Sequence, residues 1–389
     1  MMRVMMFRSW YVVPYSGTFS TLDEKGIGGT ELQLLLHARA LRDMGCEVTV
    51  VGVTHEDKME EEILFKGSNG KQELLEALKE SYGDTDVLFA NVTEGLDDLR
   101  RALPRANVVQ VCQNGPHFNS FKGIDIYAFV GFGQFAYYSS KFRKYRQKFM
   151  MLPSVPPWYT VYSRVISVPK ENQIIWLGSV NKQGLRRWAK AMRKIMDKHK
   201  ALKWVLCVPS YDLLLGHKSP AAFSGISLPL DRIEIKNLPL SDLAIEIKRS
   251  KILLASLGGE DGPVSYLDGH ALELPVLSGD DIYGKYYNPD GTGLRCTTTS
   301  ECERAIDFLL ANPGVCETMG EMGKKWVIEN LTEEHQKGYI EQLVAYLSLR
   351  SNYNFPIKSS LQSDRKFPLR FWLERLEIKG QRWFNNRLK

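Results

Sequence analysis

The chain has 389 residues, of which 44% are hydrophobic and 25% charged. That balance excludes disordered and fibrous classes, and the length exceeds what one core usually holds, so two domains are expected. The formal charge of +6 is concentrated at one end: from Phe355 to Lys389 nine Lys or Arg stand against three Asp or Glu, which leaves the rest near neutral.

In chain order, MRVMMF reads as a short buried strand, followed by a long polar loop and a helix over ELQLLLHARALRDMG. Gly45 closes that helix, and EVTVVGV is the next strand. QELLEALKESYG (helix), DVLFAN (strand), TEGLDDLRRAL (helix), NVVQVC (strand) and FAYYSSKFRKYRQ (helix) continue the alternation. The prolines of FMMLPSVPP mark a hinge. The pattern restarts with NQIIWLGS (strand), GLRRWAKAMRKIMDKH (helix), KWVLCVP (strand), RIEIKN (strand), SDLAIEIKRS (helix) and KILLAS (strand). After a glycine-rich loop come LPVLSG (strand), ECERAIDFLLANPG (helix) and a long last helix over HQKGYIEQLVAYLSL.

Strands separated by helices imply parallel sheets with right-handed crossovers. The expected fold class is therefore α/β, with two Rossmann-like domains facing across a cleft. Residues 1–165 form the first domain, 166–348 the second, and 349–389 a basic segment that packs back on the first. Ligands in such sheets bind beyond the carboxyl ends of the strands.

Six cysteines, several inside apolar runs such as VVQVC, form no C-x-x-C pair. A reducing, cytoplasmic setting fits them. The start MMRVMMFRSWYVV lacks a cleavage site, and no apolar run is long enough to span a bilayer. GIGGTE is not a dinucleotide fingerprint, because Glu31 stands where a third glycine belongs. Asp84-Thr85-Asp86 spells the D-x-D of metal–nucleotide sites, yet it directly precedes VLFAN and reads as a turn.

The informative stretch is GGEDGPVSYLDGHALELPVL, Gly258 to Leu277. Its glycines, Gly262 among them, allow close backbone approach to a ligand. Pro263 suits a first helical turn, and the first-turn N–H groups of Val264, Ser265 and Tyr266 make an anion site. Glu260, Asp261 and Asp268 would repel a bare anion. They suit a ligand with an anionic middle and hydroxylated ends, which is the shape of a nucleotide-sugar.

These residues resemble the signature of family 4 of the retaining GT-B glycosyltransferases: a Glu, a glycine turn, a second acid eight positions on, then a Pro-Val strand. Glu260, Asp261-Gly262-Pro263, Asp268 and HALELPVL match it in order. GIGGTELQLLLHARALRDMGCEVTVVG is similar to the family's glycine loop, first helix and second strand, and NPDGTGLRCTTTS to its turn after the motif. The likeness runs from Met1 to about Ser348.

It implies a metal-independent transferase with no cofactor, using a UDP- or GDP-sugar as co-substrate. Glu260 lies by the transferred sugar, with a helix cap as its alternative role. Asp268 holds the ribose, one methylene shorter than the usual Glu. Gly28 and Gly29 bring the first domain's backbone to the phosphates, and Gly178 and Ser179 border the diphosphate. Ser179 stands where relatives carry Arg, which leaves Lys182 as the cation for the leaving group.

Gln113, Asn114 and His117 follow a strand that ends near a His in relatives, and are the acceptor-side candidates. His270 reads as packed or half-exposed. The tail is expected to pack back across the first domain, and the alternative is that the basic, aromatic run 141–148 and the tail 365–389 meet an anionic membrane surface. No nucleic acid is expected. The competing readings are a non-catalytic nucleotide-sugar binder and a GT-B-fold epimerase.

Overall fold

The computed structural model describes residues 1–12, 17–22, 24, 26–67, 69–91, 95–112, 123–178, 183–208, 223–255, 257 and 264–351. Its first half runs β1 (Arg3–Phe7), α1 (Gly29–Asp43), β2 (Glu47–Val51), β3 (Lys58–Glu60), β4 (Ile63–Lys66), α2 (Lys71–Ser81) and β5 (Val87–Ala90). It continues through α3 (Leu96–Ala102), β6 (Asn107–Cys112), β7 (Ile126–Phe129), α4 (Phe132–Lys141) and β8 (Phe149–Met151). The second half holds β9 (Gln173–Leu177), α5 (Gln183–Lys198), β10 (Lys203–Cys207), β11 (Ile233–Lys236), α6 (Leu240–Arg249), β12 (Ile252–Leu254) and α7 (Val264–Ala271). It ends with β13 (Val276–Gly279), α8 (Ile282–Tyr287), β14 (Gly293–Cys296), α9 (Thr299–Ala311), α10 (Pro313–Asn330) and α11 (Glu333–Ser351).

Two sheets result. The first has eight strands in the order β3-β4-β2-β1-β5-β6-β7-β8, parallel except for the β3–β4 pair. The second has six parallel strands, β11-β10-β9-β12-β13-β14. Strand order reverses between β1 and β5 in one sheet and between β9 and β12 in the other. Those switch points open crevices at the carboxyl ends of the strands.

Burial explains the strand sequences. Met5, Met6 and Phe7 of β1, and Ile174, Ile175 and Trp176 of β9, are almost fully enclosed, as helices on both faces of a parallel sheet require. The helix α1 is apolar around most of its girth, with Leu32, Leu34, Leu35, Leu36, Ala38 and Leu41 all buried. The sheet covers one side and α11 crosses back to cover the other. Gln33 and Gln336 fasten this crossing. Gln33 exchanges two hydrogen bonds with the Val155 backbone, 2.7 and 3.0 Å, and Gln336 donates to the Pro153 carbonyl at 2.9 Å. The proline-rich segment between the sheets is thereby pinned to both helices.

Beyond the short strands β3, β4, β7 and β14 and the helix α8, which the sequence reading did not name, three features depart from it. The helix expected over FAYYSSKFRKYRQ stops at Lys141, where Phe142 leaves helical geometry and a short 3-10 turn, Arg143–Lys148, follows. FMM is a strand of the first sheet rather than the start of the hinge. ECERAIDFLLANPG ends at Ala311, because Pro313 opens a separate helix, α10.

The Asp84–Asp86 pair lies at the amino end of β5, away from the crevice. Asp84 pairs with Arg3, and Asp86 accepts the Arg3 backbone N–H at 2.8 Å. All six cysteines are free thiols. Among the described residues no helix is long and apolar enough to cross a membrane.

Candidate functional site

The two switch points face each other through the starts of two helices. Gly28 is the N-cap of α1, and Gly29 is its first residue. A Cβ placed on Gly29 would lie 3.6 to 3.8 Å from the side chain of Val264, the first residue of α7. The sequence reading named both residues, from motifs more than two hundred positions apart, and they meet across the crevice between the sheets. Nearby, the Leu240 N–H donates to the Leu22 carbonyl at 2.9 Å, which ties the loop after β1 to the start of α6. Two helix N-termini border one gap, and the positive ends of two helix dipoles make it favourable ground for an anion.

The backbone around α7 is braced from behind. Trp188 of α5, wholly buried, donates its indole N–H to the Ala255 carbonyl at 2.7 Å, and Arg187 donates to the Leu257 carbonyl at 2.6 Å. Both carbonyls belong to the chain leaving β12. Gly178 follows β9 directly with φ 135°, a region that side-chain-bearing residues avoid, and its N–H donates to the Cys207 carbonyl at 3.0 Å. That glycine is demanded by the backbone turn at the second switch point.

Within α7, Ser265 is half-exposed, whereas the Tyr266 side chain is fully enclosed against Tyr287. Only the Tyr266 amide could serve a ligand. Asp268 is buried, and its Oδ1 accepts the Tyr162 hydroxyl at 2.8 Å. Burial pushes the Asp268 carboxyl up to about 7, against an opposing pull from that hydrogen bond. His270 is also enclosed. Its Nε2 lies 2.9 Å from the Tyr287 carbonyl, and desolvation lowers it to about 4. It is a packed residue, edge-on to Trp326.

Glu260, Gly262, Pro263, Ser179, Lys182, Gln113, Asn114 and His117 lie outside the described residues, as does the tail 365–389. The run 141–148 is partly self-engaged. Lys141 sits over the rings of Tyr137 and Phe142, Lys144 lies over Tyr145, and Lys148 donates to the Ile124 carbonyl at 2.6 Å. Among the described residues no cluster of His, Cys, Asp or Glu could hold a metal ion.

Sequence reasoning missed Tyr162, Arg187, Trp188 and Arg8. Arg8 follows β1 directly, and its Nε donates to Glu31 Oε1 at 2.6 Å. The nearest signal was GIGGTE itself, where Glu31 is spaced to fall on the first turn of α1.

Two Rossmann-like α/β domains opposed across such a crevice constitute the GT-B fold. No protein-family model and no curated protein matches the chain. Solved structures do match it over most of its length. A glycosyltransferase from Rickettsia africae superposes with a TM-score of 0.65 at 14% identity, covering 91% of this chain and 99% of that one. Anabaena HepE in complex with UDP-glucose gives 0.63 at 11% identity, covering 88% and 99%. A candidate UDP-N-acetylglucosamine 2-epimerase from Listeria monocytogenes gives 0.51 at 13%, covering 90% and 97%. At such identities the likeness establishes the fold.

Proposed function

We propose that the protein is a glycosyltransferase that moves a sugar from a nucleotide-diphosphate-sugar to an acceptor with retention of anomeric configuration and without a metal ion. Residues 1–165 form the acceptor-side domain and 166–348 the donor-side domain. The observation that carries this reading is the meeting of Gly29 with Val264 across the crevice, at the start of the helix that follows the acidic motif. Fold neighbours that include a glycosyltransferase and a UDP-glucose complex support it.

The diphosphate rests on the amides of Val264, Ser265 and Tyr266, with Lys182 and the turn at Gly178 and Ser179 beside it. Glu260 positions the sugar, and Asp268 takes the ribose. As the glycosidic bond to the leaving oxygen lengthens, negative charge grows on the diphosphate, and the fixed N–H groups stabilise it there. The acceptor hydroxyl attacks on the same face and passes its proton to the departing phosphate oxygen. Gln113, Asn114 and His117 belong to the acceptor wall. An anionic membrane surface meeting 141–148 and 365–389 would bring a lipid-borne acceptor to that wall.

The test is incubation with a panel of UDP- and GDP-sugars, with free nucleotide measured. Donor hydrolysis or transfer that disappears in Glu260→Ala supports the transferase. Nucleotide-sugar binding without turnover across a broad acceptor panel supports the non-catalytic binder instead. Conversion of the donor to its epimer, with no nucleotide released, supports the epimerase.

A further inference from the structure

We propose that Tyr162 is a positioning residue for nucleotide binding: its hydroxyl holds one oxygen of Asp268 so that the other is presented to the ribose hydroxyls of a ribonucleoside diphosphate. The proposal rests on the donor site described above and assigns a role to a residue outside the motif.

Tyr162 opens a one-turn 3-10 helix, Tyr162–Arg164, in the segment that joins the two sheets. Its own backbone is held, the N–H donating to the Pro157 carbonyl at 3.0 Å. Tyr162 is 3% exposed, and its hydroxyl meets Asp268 in packed surroundings where both side chains are buried. The 2.8 Å bond engages Oδ1 alone. A carboxylate has several acceptor sites, and Oδ2 remains for a ligand.

Asp268 lies four residues into α7, about 6 Å along the axis from Val264. Side chains on a helix lean toward its N-terminus, so the carboxyl lies nearer to the anion-binding amides than its Cα does. That offset suits a ligand whose phosphates meet the amides and whose ribose lies one turn below.

The neighbouring charges are engaged elsewhere. On α7 itself His270 is neutral and turned to the Tyr287 carbonyl. From α6, Lys248 donates to the Val165 carbonyl and pairs with Glu273, while Glu246 bonds Gln173 and Lys236. From α10, Lys324 pairs with Glu273 at 2.6 Å. From α11, Glu333 accepts the backbone N–H groups of Tyr159 and Thr160, and its charge adds to the pressure keeping Tyr162 protonated. Among the described residues no cation bonds Asp268, so the Tyr162 hydroxyl is what favours its ionised form. An ionised Asp268 accepts hydrogen bonds from two ribose hydroxyls; a protonated one must spend its proton as a donor.

Calorimetric titration of UDP, GDP and their 2′-deoxy forms between pH 6 and 9 tests this. The wild type is expected to prefer the ribonucleotide by about tenfold at pH 8, with the preference fading below about pH 7, where Asp268 becomes protonated. Tyr162→Phe should move that midpoint upward, weaken the ribonucleotide several-fold at pH 7, and leave the 2′-deoxy form unchanged. Asp268→Asn keeps an acceptor for Tyr162 and should abolish the pH dependence; it stands in if Tyr162→Phe does not fold. An unshifted midpoint in Tyr162→Phe, or an undiminished pH dependence in Asp268→Asn, overturns the role of the pair and leaves the donor site standing. Failure of the wild type to bind either nucleotide at any pH overturns the donor site and this proposal together.

Discussion

Arg8 and Glu31 form a buried ion pair at the mouth of the first sheet, Nε to Oε1 2.6 Å, with the Glu31 side chain 1% exposed and that of Arg8 16%. Among the described residues Glu31 Oε2 has no hydrogen-bond partner. Burial raises the Glu31 carboxyl above its ordinary value, and the Arg8 charge works against that rise. The pair joins the residue after β1 to the first turn of α1, and so fixes where Gly28 and Gly29 stand.

Removing only the cation leaves an uncompensated buried carboxylate. Arg8→Met is expected to destabilise the fold by roughly 3–5 kcal/mol at pH 8. The loss should shrink as pH falls, because Glu31 can then take a proton. The double variant Arg8→Met/Glu31→Gln should recover much of the loss. Urea denaturation at pH 8 and pH 5 measures both effects, and equal losses at the two pH values would rule the account out.

Two other buried groups act on acid stability with opposite signs. His37, enclosed on α1, is lowered to about 3 by desolvation. Between about pH 6.5 and 3 the unfolded chain binds a proton there that the folded chain refuses, so stability falls as the solution is acidified. Asp268, raised to about 7, does the reverse. The folded chain holds its proton where the unfolded chain has released it, so stability falls as pH rises from about 4 to 7. His37→Leu should flatten the acid-side decline in Tm. Asp268→Asn should raise Tm at pH 8 by more than at pH 4. Scanning calorimetry across this range separates the two contributions.

The legible parts of the chain were those where one short segment carries the whole signal. The buried runs of β1, β2, β9 and β10 and the amphipathic α5 announce themselves in sequence because both faces of a strand, or one face of a helix, meet the core. The four-residue strands β4 and β7 and the three-residue β3 and β8 are too short for periodicity to separate them from loop. β7 is further hidden in an aromatic run that continues into α4. Gly29 and Val264 were found because each begins a helix after a glycine-rich loop. Tyr162 and Asp268 are 106 positions apart, and a lone tyrosine in a proline-rich segment carries no pattern. Composition names the candidates for a buried pair, and only the fold says which ones meet.

The helix α10 packs closely on α7 through two glycines. A Cβ on Gly320 would stand 2.2 Å from the Glu273 carbonyl oxygen, and one on Gly323 would stand 2.6 Å from His270 Nδ1. Glu273 itself has φ 63°, a strained value for a residue with a side chain, so its carbonyl has little freedom to yield. In an open helix, Gly to Ala would stabilise by about 0.5–1 kcal/mol. Here overpacking should win, with Gly320→Ala and Gly323→Ala each destabilising by about 1–3 kcal/mol. Denaturant midpoints decide the sign. A stabilised Gly320→Ala would mean that the two helices stand further apart than these distances allow.

Gly29 presents the opposite case. Its added Cβ would meet Val264 at ordinary contact distance, 3.6 to 3.8 Å, and its φ does not require glycine. Gly29→Ala should therefore fold with stability within about 0.5 kcal/mol of the parent. Atoms beyond Cβ must enter the gap between the two helix starts, which is the space assigned to the diphosphate. Gly29→Leu is expected to keep its circular dichroism spectrum and to lose at least about tenfold in affinity for UDP or GDP, a loss of about 1.4 kcal/mol. The paired Ala and Leu variants separate size from mere loss of glycine, since only the larger side chain reaches the ligand. Undiminished nucleotide binding by a folded Gly29→Leu would place the diphosphate elsewhere than between Gly29 and Val264.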